Sequence, residues 1–447
     1  MDRLRLHRHV GRIVSPRHVV PAVLETSGWP ASRPGWTRSA TPHGAGLRLT
    51  ILYVGRLPPH PGGDAIVTGS YLASLVARGH RVCALVPTTS EIPVSADPLA
   101  QAHPRLRLER YPVPFWFTAR EMVLLDRDYR EYTQVEGRGL AAKVPGLLRE
   151  VRPDLVVAGH EHLGWHVPAL ARTAGVPYAL VVHGGTTIQA LTESGATTSD
   201  LRRLIEGFEN AGLVITVACH LAERLQQLGL RHVRAIPNAV DPRLFSPQPQ
   251  KSAIRQQLGL RPGDVGVVHV SNLRAVKRPL DVVESAVLAL RENPRLVYVI
   301  VGDGPNRAAM EQAARSHGIA HRFRFVGWVE HVRVLDFLNL ADVVVMPSEH
   351  EGLSLVYLES QACGRVLVAS DISAAREVVV DGVTGVLFRK GDIVHLAEQT
   401  LRVVADPALR RAIGLRARRM AAMRSLDAAV AGYEAAFTEI ARSRRLA

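Results

Sequence analysis

Short apolar runs alternate with amphipathic segments along most of this chain, and this alternation restricts the fold more than any other feature. Runs such as LTILYV at 49–54 and VYVIV at 297–301 contain almost no polar residues. They predict strands that are buried on both faces. Because neighbouring parallel strands need a crossover helix between them, the repeated units predict an α/β protein with doubly wound parallel sheets.

The length of 447 residues is too great for one ordinary core and indicates two domains. We assign residues 47–245 to an N-terminal Rossmann-like domain and residues 252–425 to a C-terminal one, with the two sheets facing each other. Prolines concentrate between 237 and 249, which is typical of an interdomain linker. Residues 1–46 are rich in Arg, Pro, Gly and Ser without a sustained period, so we expect a disordered extension there.

The formal net charge of +14 invites comparison with proteins that bind nucleic acid or anionic membranes. Lysine occurs only at Lys143, Lys251, Lys277 and Lys390, so arginine carries nearly all of the positive charge, and no dense basic block is present. This pattern argues against a nucleic-acid partner. We still expect weak peripheral association with an anionic membrane.

The cysteines Cys83, Cys219 and Cys363 are scattered, without metal spacing or a disulfide framework, which is typical of a reducing compartment. No apolar run reaches the roughly 18 residues of a transmembrane helix. The basic N-terminus also lacks the uninterrupted apolar segment of a secretory signal. We therefore expect a cytoplasmic protein, with the inner face of the membrane as a further expectation.

The segment PSEHEGLSLVYLESQACG at 347–364 begins where a buried strand ends and predicts a helix over about Leu353–Cys363. Such strand-to-helix turns are where α/β sheets bind ligands. Its carboxylates Glu351 and Glu359 are eight residues apart, about 12 Å along a helix. A glycosidase pair needs roughly 5 to 9.5 Å. The spacing suits the two ends of an extended ligand, although an acidic surface helix has the same pattern.

Two other turns have ligand-binding features. The paired glycines Gly62 and Gly63 follow the first strand and precede a helix predicted from about Ser70; glycines there allow a backbone to approach a ligand closely. His183 ends the run VPYALVV beside two further glycines, where it is well placed to hydrogen-bond a ligand. A flexible turn and a structural histidine are the respective alternatives.

The turn SNLRAVKRP at 271–279 is the strongest basic feature in the second half. Arg274, Lys277 and Arg278 follow a strand and precede a helix, so they are suited to hold a diphosphate and to stabilise charge as it leaves. The alternative is a solvated helix start.

Two patterns resemble metal sites, and we expect neither to bind a metal. An Asp-x-Asp at 126–128 follows an apolar run but begins a charged stretch that predicts a solvated helix. His160, His162 and His166 lie at a strand end without a fixed fourth ligand. We interpret them as part of a substrate-facing loop.

The succession GG…GHRV, VVHGG, IPNAVDPRLF, SNLRAVKRP, VGDGP, FVGW, EGLSLVYLE and DGVTG resembles the family 4 retaining glycosyltransferases of GT-B fold, in the right order over about residues 47–440. The SNLRAVKRP turn is also similar to that of the bacillithiol-pathway enzyme that joins N-acetylglucosamine to malate. The resemblance implies a nucleoside-diphosphate-sugar donor, in our prediction a UDP-sugar, a hydroxyl acceptor, retention at the anomeric carbon, and no metal or other cofactor. It also implies that a last helix, 426–447, packs back on the N-terminal domain.

The resemblance assigns roles to individual residues. Glu351 would contact hydroxyls of the donor sugar, and Glu359 would bind the ribose. Arg274 and Lys277 would hold the diphosphate, and His183 would touch the transferred sugar. The other implied substrate-binding residues are Gly62, Gly63, His160, Val326, Gly327, Gly352, Leu353, Ser354 and Leu355.

One position departs from the family pattern. The usual phosphate arginine lies five residues before the lysine, where this chain has Asn272, so Arg274 is the candidate substitute. Two alternatives to transfer stay open on the sequence: a UDP-sugar epimerase of the same architecture and a non-catalytic sugar-nucleotide-binding protein. The residues carry no code for the acceptor.

Overall fold

The computed structural model describes residues 47–446 apart from 59, 61, 90–102, 116–126, 185–198 and 249–251. The predicted extension, most of the segment that contains Asp126, and Gly185 lie outside the described residues. Two sheets organise the described chain, and all their strands are parallel. The predicted α/β fold with two doubly wound sheets is therefore confirmed.

The N-terminal sheet has seven strands in the order β3-β2-β1-β4-β5-β6-β7. Its strands are β1 Thr50–Val54, β2 Arg81–Thr88, β3 Leu106–Pro112, β4 Leu155–Ala158, β5 Tyr178–Val182, β6 Leu213–Thr216 and β7 Val233–Ala235. The helices beside it are α1 Gly63–Ala77, α2 Arg127–Val151, α3 Val167–Thr173, α4 Ser199–Glu209 and α5 Cys219–Gln227, with a 3-10 turn at Glu161–Trp165.

The C-terminal sheet has six strands in the order β10-β9-β8-β11-β12-β13. They are β8 Val265–Val270, β9 Leu296–Val301, β10 Phe323–Gly327, β11 Val343–Met346, β12 Val366–Ser370 and β13 Val386–Phe388. Its larger helices are α6 Ser252–Gln257, α7 Pro279–Glu292, α8 Arg307–Ser316, α9 His331–Leu340 and α10 Leu355–Ala362, followed by α11 Ser373–Arg376, α12 Ile393–Ala405, α13 Pro407–Ala422 and α14 Leu426–Leu446. Single 3-10 turns occur at Ala275–Lys277 and Ala320–Arg322.

The central strands are buried because helices cover both faces of each sheet. Every residue of β4, β5, β9 and β11 is buried, as the continuous apolar runs predict. The first helix differs from the prediction, because α1 starts at Gly63 rather than near Ser70. Gly63 and the residues that follow it therefore form helix, and the glycine-rich turn is shorter than expected.

The last helix, α14, lies against the N-terminal domain, where it contacts α1, β4 and β5. The rings of Tyr71 and Tyr433 are 4.9 Å apart between centroids. The Glu434 carboxylate accepts hydrogen bonds from Arg78 at 2.8 Å and from His80 at 3.1 Å. The chain thus returns to its first domain after completing the second. No helix in the described part of the chain is both long enough and apolar enough to cross a bilayer.

Candidate active site

In each sheet the strand order reverses at one place, and the candidate site residues follow the two strands on either side of that place. In the N-terminal sheet the change lies between β1 and β4, and in the C-terminal sheet between β8 and β11. Ligands bind in the crevice that such a change of strand order creates at the carboxyl ends of the strands. The turns after these four strands contain Gly62, His160, Lys277 and Glu351.

Lys277 and Glu351, 74 positions apart in the chain, form an ion pair. The Lys277 Nζ atom donates to Glu351 Oε2 at 2.6 Å, and the Ser348 hydroxyl donates to Glu351 Oε1 at 2.8 Å. Lys277 ends the 3-10 turn after β8, and Glu351 lies in the loop after β11. The adjacent strands place the basic turn and the acidic motif together, and both oxygens of Glu351 have a donor.

Glu359 lies within α10, buried to 2% exposure, and its Oε1 atom is 2.5 Å from Nε2 of His331, the first residue of α9. Glu351 precedes this helix, since α10 begins only at Leu355. The helical estimate of about 12 Å between the two carboxylates therefore does not apply. His331 was missed by the sequence reasoning, because its position 28 residues before Glu359 matches no local spacing.

The buried His269 hydrogen-bonds to Ser271, the first residue of the basic turn. The sequence reasoning also missed His269. Its Nδ1 atom donates to the Val345 carbonyl at 2.9 Å, so its Nε2 atom accepts from the Ser271 hydroxyl at 2.8 Å. Burial lowers the pKa of His269 to about 4, with a further lowering by Lys277 and partial compensation by the Val345 carbonyl. The imidazole is therefore neutral near pH 7, and its hydrogen bond to Val345 links β8 to β11.

His183 closes the cleft from the N-terminal domain. Its backbone N–H donates to the Glu161 carboxylate at 3.0 Å. Burial lowers the pKa of the His183 ring to about 4, although the nearby Asp64 carboxylate opposes this effect. Asp64 itself pairs with the buried Arg56 at 3.1 Å. The side chain is thus a neutral imidazole, which suits hydrogen bonding to a ligand rather than charge stabilisation.

The histidines after β4 form a hydrogen-bonded chain. The Nδ1 atoms of His160 and His162 are 2.6 Å apart, and His162 Nε2 lies 3.1 Å from the Glu136 carboxylate, which also accepts from Tyr111. Burial holds the pKa of His160 well below its usual 6.5. The rings of His160 and His183 stack with centroids 6.1 Å apart, which brings these two predicted residues together. Among the described residues, no group of His, Cys, Asp and Glu side chains is arranged to hold a metal ion.

The two domains meet at several of the predicted glycines. A Cβ built on Gly352 would lie 1.9 Å from the carbonyl oxygen of His183, and one on Gly63 would lie 3.6 Å from a methyl carbon of Leu355. The Asn238 amide also donates to the Leu353 carbonyl at 2.9 Å. The predicted glycine turn of one domain therefore faces the start of α10 in the other.

Among the remaining predicted residues, the Arg274 carbonyl accepts a hydrogen bond from the Lys277 N–H at 2.9 Å. Arg274 directly precedes the 3-10 turn of Lys277, and Ser354 is the N-cap of α10. Val326 and Gly327 end β10, where a Cβ on Gly327 would lie 3.2 Å from the Arg307 guanidinium. At the position that departs from the family pattern, the Asn272 carbonyl packs against Gly304, where a Cβ would come within 1.9 Å of it.

Two family models match this chain in consecutive stretches. "Glycosyltransferase Family 4" matches residues 61–244 and "Glycosyl transferases group 1" matches residues 250–420. The boundary between them falls at the proline-rich junction of the two sheets. The chain belongs to the family 4 glycosyltransferases. The resemblance stated from the sequence motifs is thereby confirmed.

Curated relatives of this chain are similar to it over part of their length. Glycogen synthase of Mycobacterium tuberculosis is 30% identical over 60% of this chain and 64% of its own, and N-acetyl-alpha-D-glucosaminyl L-malate synthase of Bacillus anthracis is 29% identical over 47% and 55%. The chain thus spans less than two thirds of the length of these relatives. The second of them confirms the resemblance to the enzyme that joins N-acetylglucosamine to malate.

Among solved structures, Anabaena HepE in complex with UDP-glucose superposes with a TM-score of 0.70 at 21% identity, over 86% of this chain and 99% of that one. At this identity the likeness establishes the fold alone. The chain therefore has the predicted GT-B architecture, with two Rossmann-like domains across a cleft.

Proposed function

We propose that this protein transfers a sugar from a UDP-sugar to a hydroxyl acceptor, with retention at the anomeric carbon and without a metal or other cofactor. The Lys277–Glu351 pair at the change of strand order supports the proposal best, because it places a cation and a buried carboxylate in the crevice where a nucleotide would bind. The UDP-glucose bound to the HepE neighbour supports the choice of donor. Membership of the glycosyltransferase family favours transfer over epimerisation and over binding without catalysis.

Binding of the donor would separate Lys277 from Glu351, and each side chain would then bind a different group of the donor. Its diphosphate would attract Lys277 Nζ, with Arg274 beside it, and the Glu351 oxygen vacated by Lys277 would accept from a sugar hydroxyl. Glu359 would accept from the ribose hydroxyls. The neutral His183 would hydrogen-bond the transferred sugar from the opposite domain.

No protein nucleophile is part of the proposed reaction. The bond between the anomeric carbon and the diphosphate oxygen breaks, and the acceptor oxygen bonds to the same carbon on the same face. The acceptor proton passes to the departing phosphate oxygen, whose charge Lys277 and Arg274 stabilise. The contact between Gly352 and His183 brings the domains together around this centre, which limits hydrolysis by excluding water.

The decisive experiment incubates the protein with UDP-sugars and a cell extract, and measures released UDP and glycosylated products by mass spectrometry. We expect UDP release that depends on the extract, and a loss of about 100-fold or more in K277A and in E351Q. Wild-type rates in both variants would contradict the site. Epimer formation without UDP release would instead support the epimerase alternative.

The cellular location is part of the same proposal. Cys83, Cys219 and Cys363 are free thiols in the described part of the chain, which supports a reducing compartment such as the cytoplasm. The net charge of +14 supports weak association with the anionic inner face of the membrane. Co-sedimentation with vesicles containing anionic lipid, compared with neutral vesicles, tests the second point.

A further inference from the structure

The acidic motif at 347–359 contains a third carboxylate, Glu349, which the proposed reaction does not use. It lies two residues before Glu351, and about a third of its side chain is exposed. Its hydrogen bonds reach the 3-10 turn of Lys277, the adjacent Arg278 and the loop of Lys390.

The backbone and both carboxylate oxygens of Glu349 bind different segments. Its N–H donates to the Val276 carbonyl at 2.8 Å, inside the 3-10 turn that ends at Lys277. Its Oε2 atom accepts from Arg278 at 3.1 Å, and its Oε1 atom accepts from Lys390 at 2.7 Å. One residue thus joins the loops that follow β8, β11 and β13.

Arg278 is fixed by more than this contact. It adopts a left-handed backbone conformation with φ 46°, and its Nε atom donates to Asp281 at 2.6 Å. The carboxylates of Asp281 and Glu349 both accept from its guanidinium. We therefore assign Arg278 to holding the turn and not to binding a phosphate. It follows Lys277 directly, so the position of Arg278 determines where the Lys277 side chain starts.

Glu349 and Arg278 are both charged at neutral pH. The hydrogen bond from Lys390 is the largest influence that lowers the pKa of Glu349, and the bond to Asp281 is the largest that raises the pKa of Arg278. Lys390 is one of only four lysines in the chain, and Lys277 is another. Two of the four therefore lie on loops joined by this one acidic motif.

We propose that Glu349 is a positioning residue for binding of the donor diphosphate. It holds the Lys277 turn against the loop of Glu351, so Lys277 can exchange the carboxylate for the diphosphate while its backbone stays in place. This inference rests on the proposed function, because it takes the diphosphate as the ligand of Lys277. Glu349 itself contacts no substrate.

The test measures the binding of uridine, UMP and UDP by calorimetry to wild type, E349Q and the matched charge control E150Q. Glu150 pairs with Arg107 of the edge strand β3, away from the cleft. In E349Q we expect UDP affinity to fall about tenfold, roughly 1.4 kcal/mol, with uridine affinity unchanged and UMP intermediate. E150Q should bind all three ligands like wild type.

Stability distinguishes positioning from a general structural role. Partly exposed ion pairs contribute at most about 1 kcal/mol each, so the melting temperature of E349Q should stay within about 4 °C of wild type. K390Q removes one partner and should give a smaller loss with the same selectivity for UDP, and E349D should restore part of the affinity. K390Q and E349D can also test the inference if E349Q does not fold.

Three outcomes would overturn the inference. Unchanged UDP affinity in E349Q and K390Q, or an equal loss for uridine and UDP, would show that Glu349 does not position the diphosphate-binding turn. Failure of the wild type to bind UDP at all would overturn the proposed function and this inference with it. If wild type binds UDP and the variants bind it equally well, the inference is overturned while the proposed function is not.

Discussion

The Cα atom of Gly352 lies directly against the backbone carbonyl of His183, because a Cβ built there would come within 1.9 Å of that oxygen. The two residues belong to different domains. Gly352 directly follows Glu351, and both Glu351 and the His183 ring are proposed to contact the transferred sugar. The φ of Gly352 is not in the left-handed region. Glycine is therefore needed at position 352 for close approach between domains rather than for backbone conformation.

Replacing Gly352 with alanine should interfere with closure of the cleft. A methyl group cannot fit against a backbone carbonyl without displacing one domain, so we expect G352A to reduce kcat at least about tenfold. Each domain should stay folded by circular dichroism. The matched control is G146A in α2, where a Cβ meets nothing within 4 Å and alanine should keep activity and raise stability by up to about 1 kcal/mol. Equal activity of G352A and wild type would contradict the closed arrangement.

Substitution of Glu359 should affect recognition of the ribose. A hydrogen bond to a charged group contributes about 1.5–3 kcal/mol, so E359Q should raise the KM for the UDP-sugar at least about tenfold. H331N should have a smaller effect in the same direction, because His331 orients the carboxylate at 2.5 Å.

The control for this prediction is 2′,3′-dideoxy-UDP. Wild type should bind it more weakly than UDP, whereas E359Q should bind the two alike. A variant that still discriminates between them like wild type would show that Glu359 does not contact the ribose hydroxyls.

The buried His269 predicts a loss of stability in mild acid. Its pKa is about 4 in the folded chain against 6.5 for an exposed histidine, so the unfolded state binds the additional proton as the pH falls below 6.5. Its contribution is complete above pH 6.5 and declines toward pH 4. Between pH 7 and pH 5 the decline amounts to about 2 kcal/mol.

Urea unfolding at both pH values measures this difference for wild type and H269Q. Glutamine preserves a donor and an acceptor but does not titrate, so the pH dependence should become shallower by about that amount. An identical pH dependence in the two proteins would contradict the assignment of a neutral buried imidazole.

A carboxylate of the C-terminal domain holds the start of an N-terminal helix. Glu377 accepts from the backbone N–H groups of Cys219 and His220 at 3.0 and 2.7 Å, and from the His220 ring at 2.5 Å. These bonds outweigh burial and leave the pKa of Glu377 below its usual 4.5. The resulting stabilisation is complete above pH 4.5 and is lost as the pH falls through the lower folded value.

We expect E377Q to lower the thermal midpoint by a few degrees, corresponding to about 1 kcal/mol, and to increase the radius of gyration measured by X-ray scattering as the domains separate. The difference in midpoint from wild type should be constant above pH 4.5 and shrink at lower pH. An unchanged midpoint and radius would show that this contact does not hold the domains together.

Local sequence predicted the strands and their ends well, because burial on both faces demands continuous apolar runs at β1, β9 and β11. It also located the motifs at 271–279 and 347–364, since ligand-binding turns follow such strands. It placed the start of α1 too late, because Gly63 carries no strong local boundary signal. It also extended α10 by two residues at its start and one at its end, because it passed over Ser354, a residue type favoured at the N-cap. His269 and His331 had no local signal.

The sequence by itself determined the fold class, the family and the turns that hold the candidate site, because periodicity and motif spacing are local properties of the chain. The tertiary structure decided which of those turns meet. Strand order places β8 beside β11 and so pairs Lys277 with Glu351, Val276 with Glu349 and His269 with Val345. The approach of the two domains then sets Gly352 on His183. These contacts join residues about 70 to 170 positions apart, and no spacing along the chain records a contact that only the packing of two sheets creates.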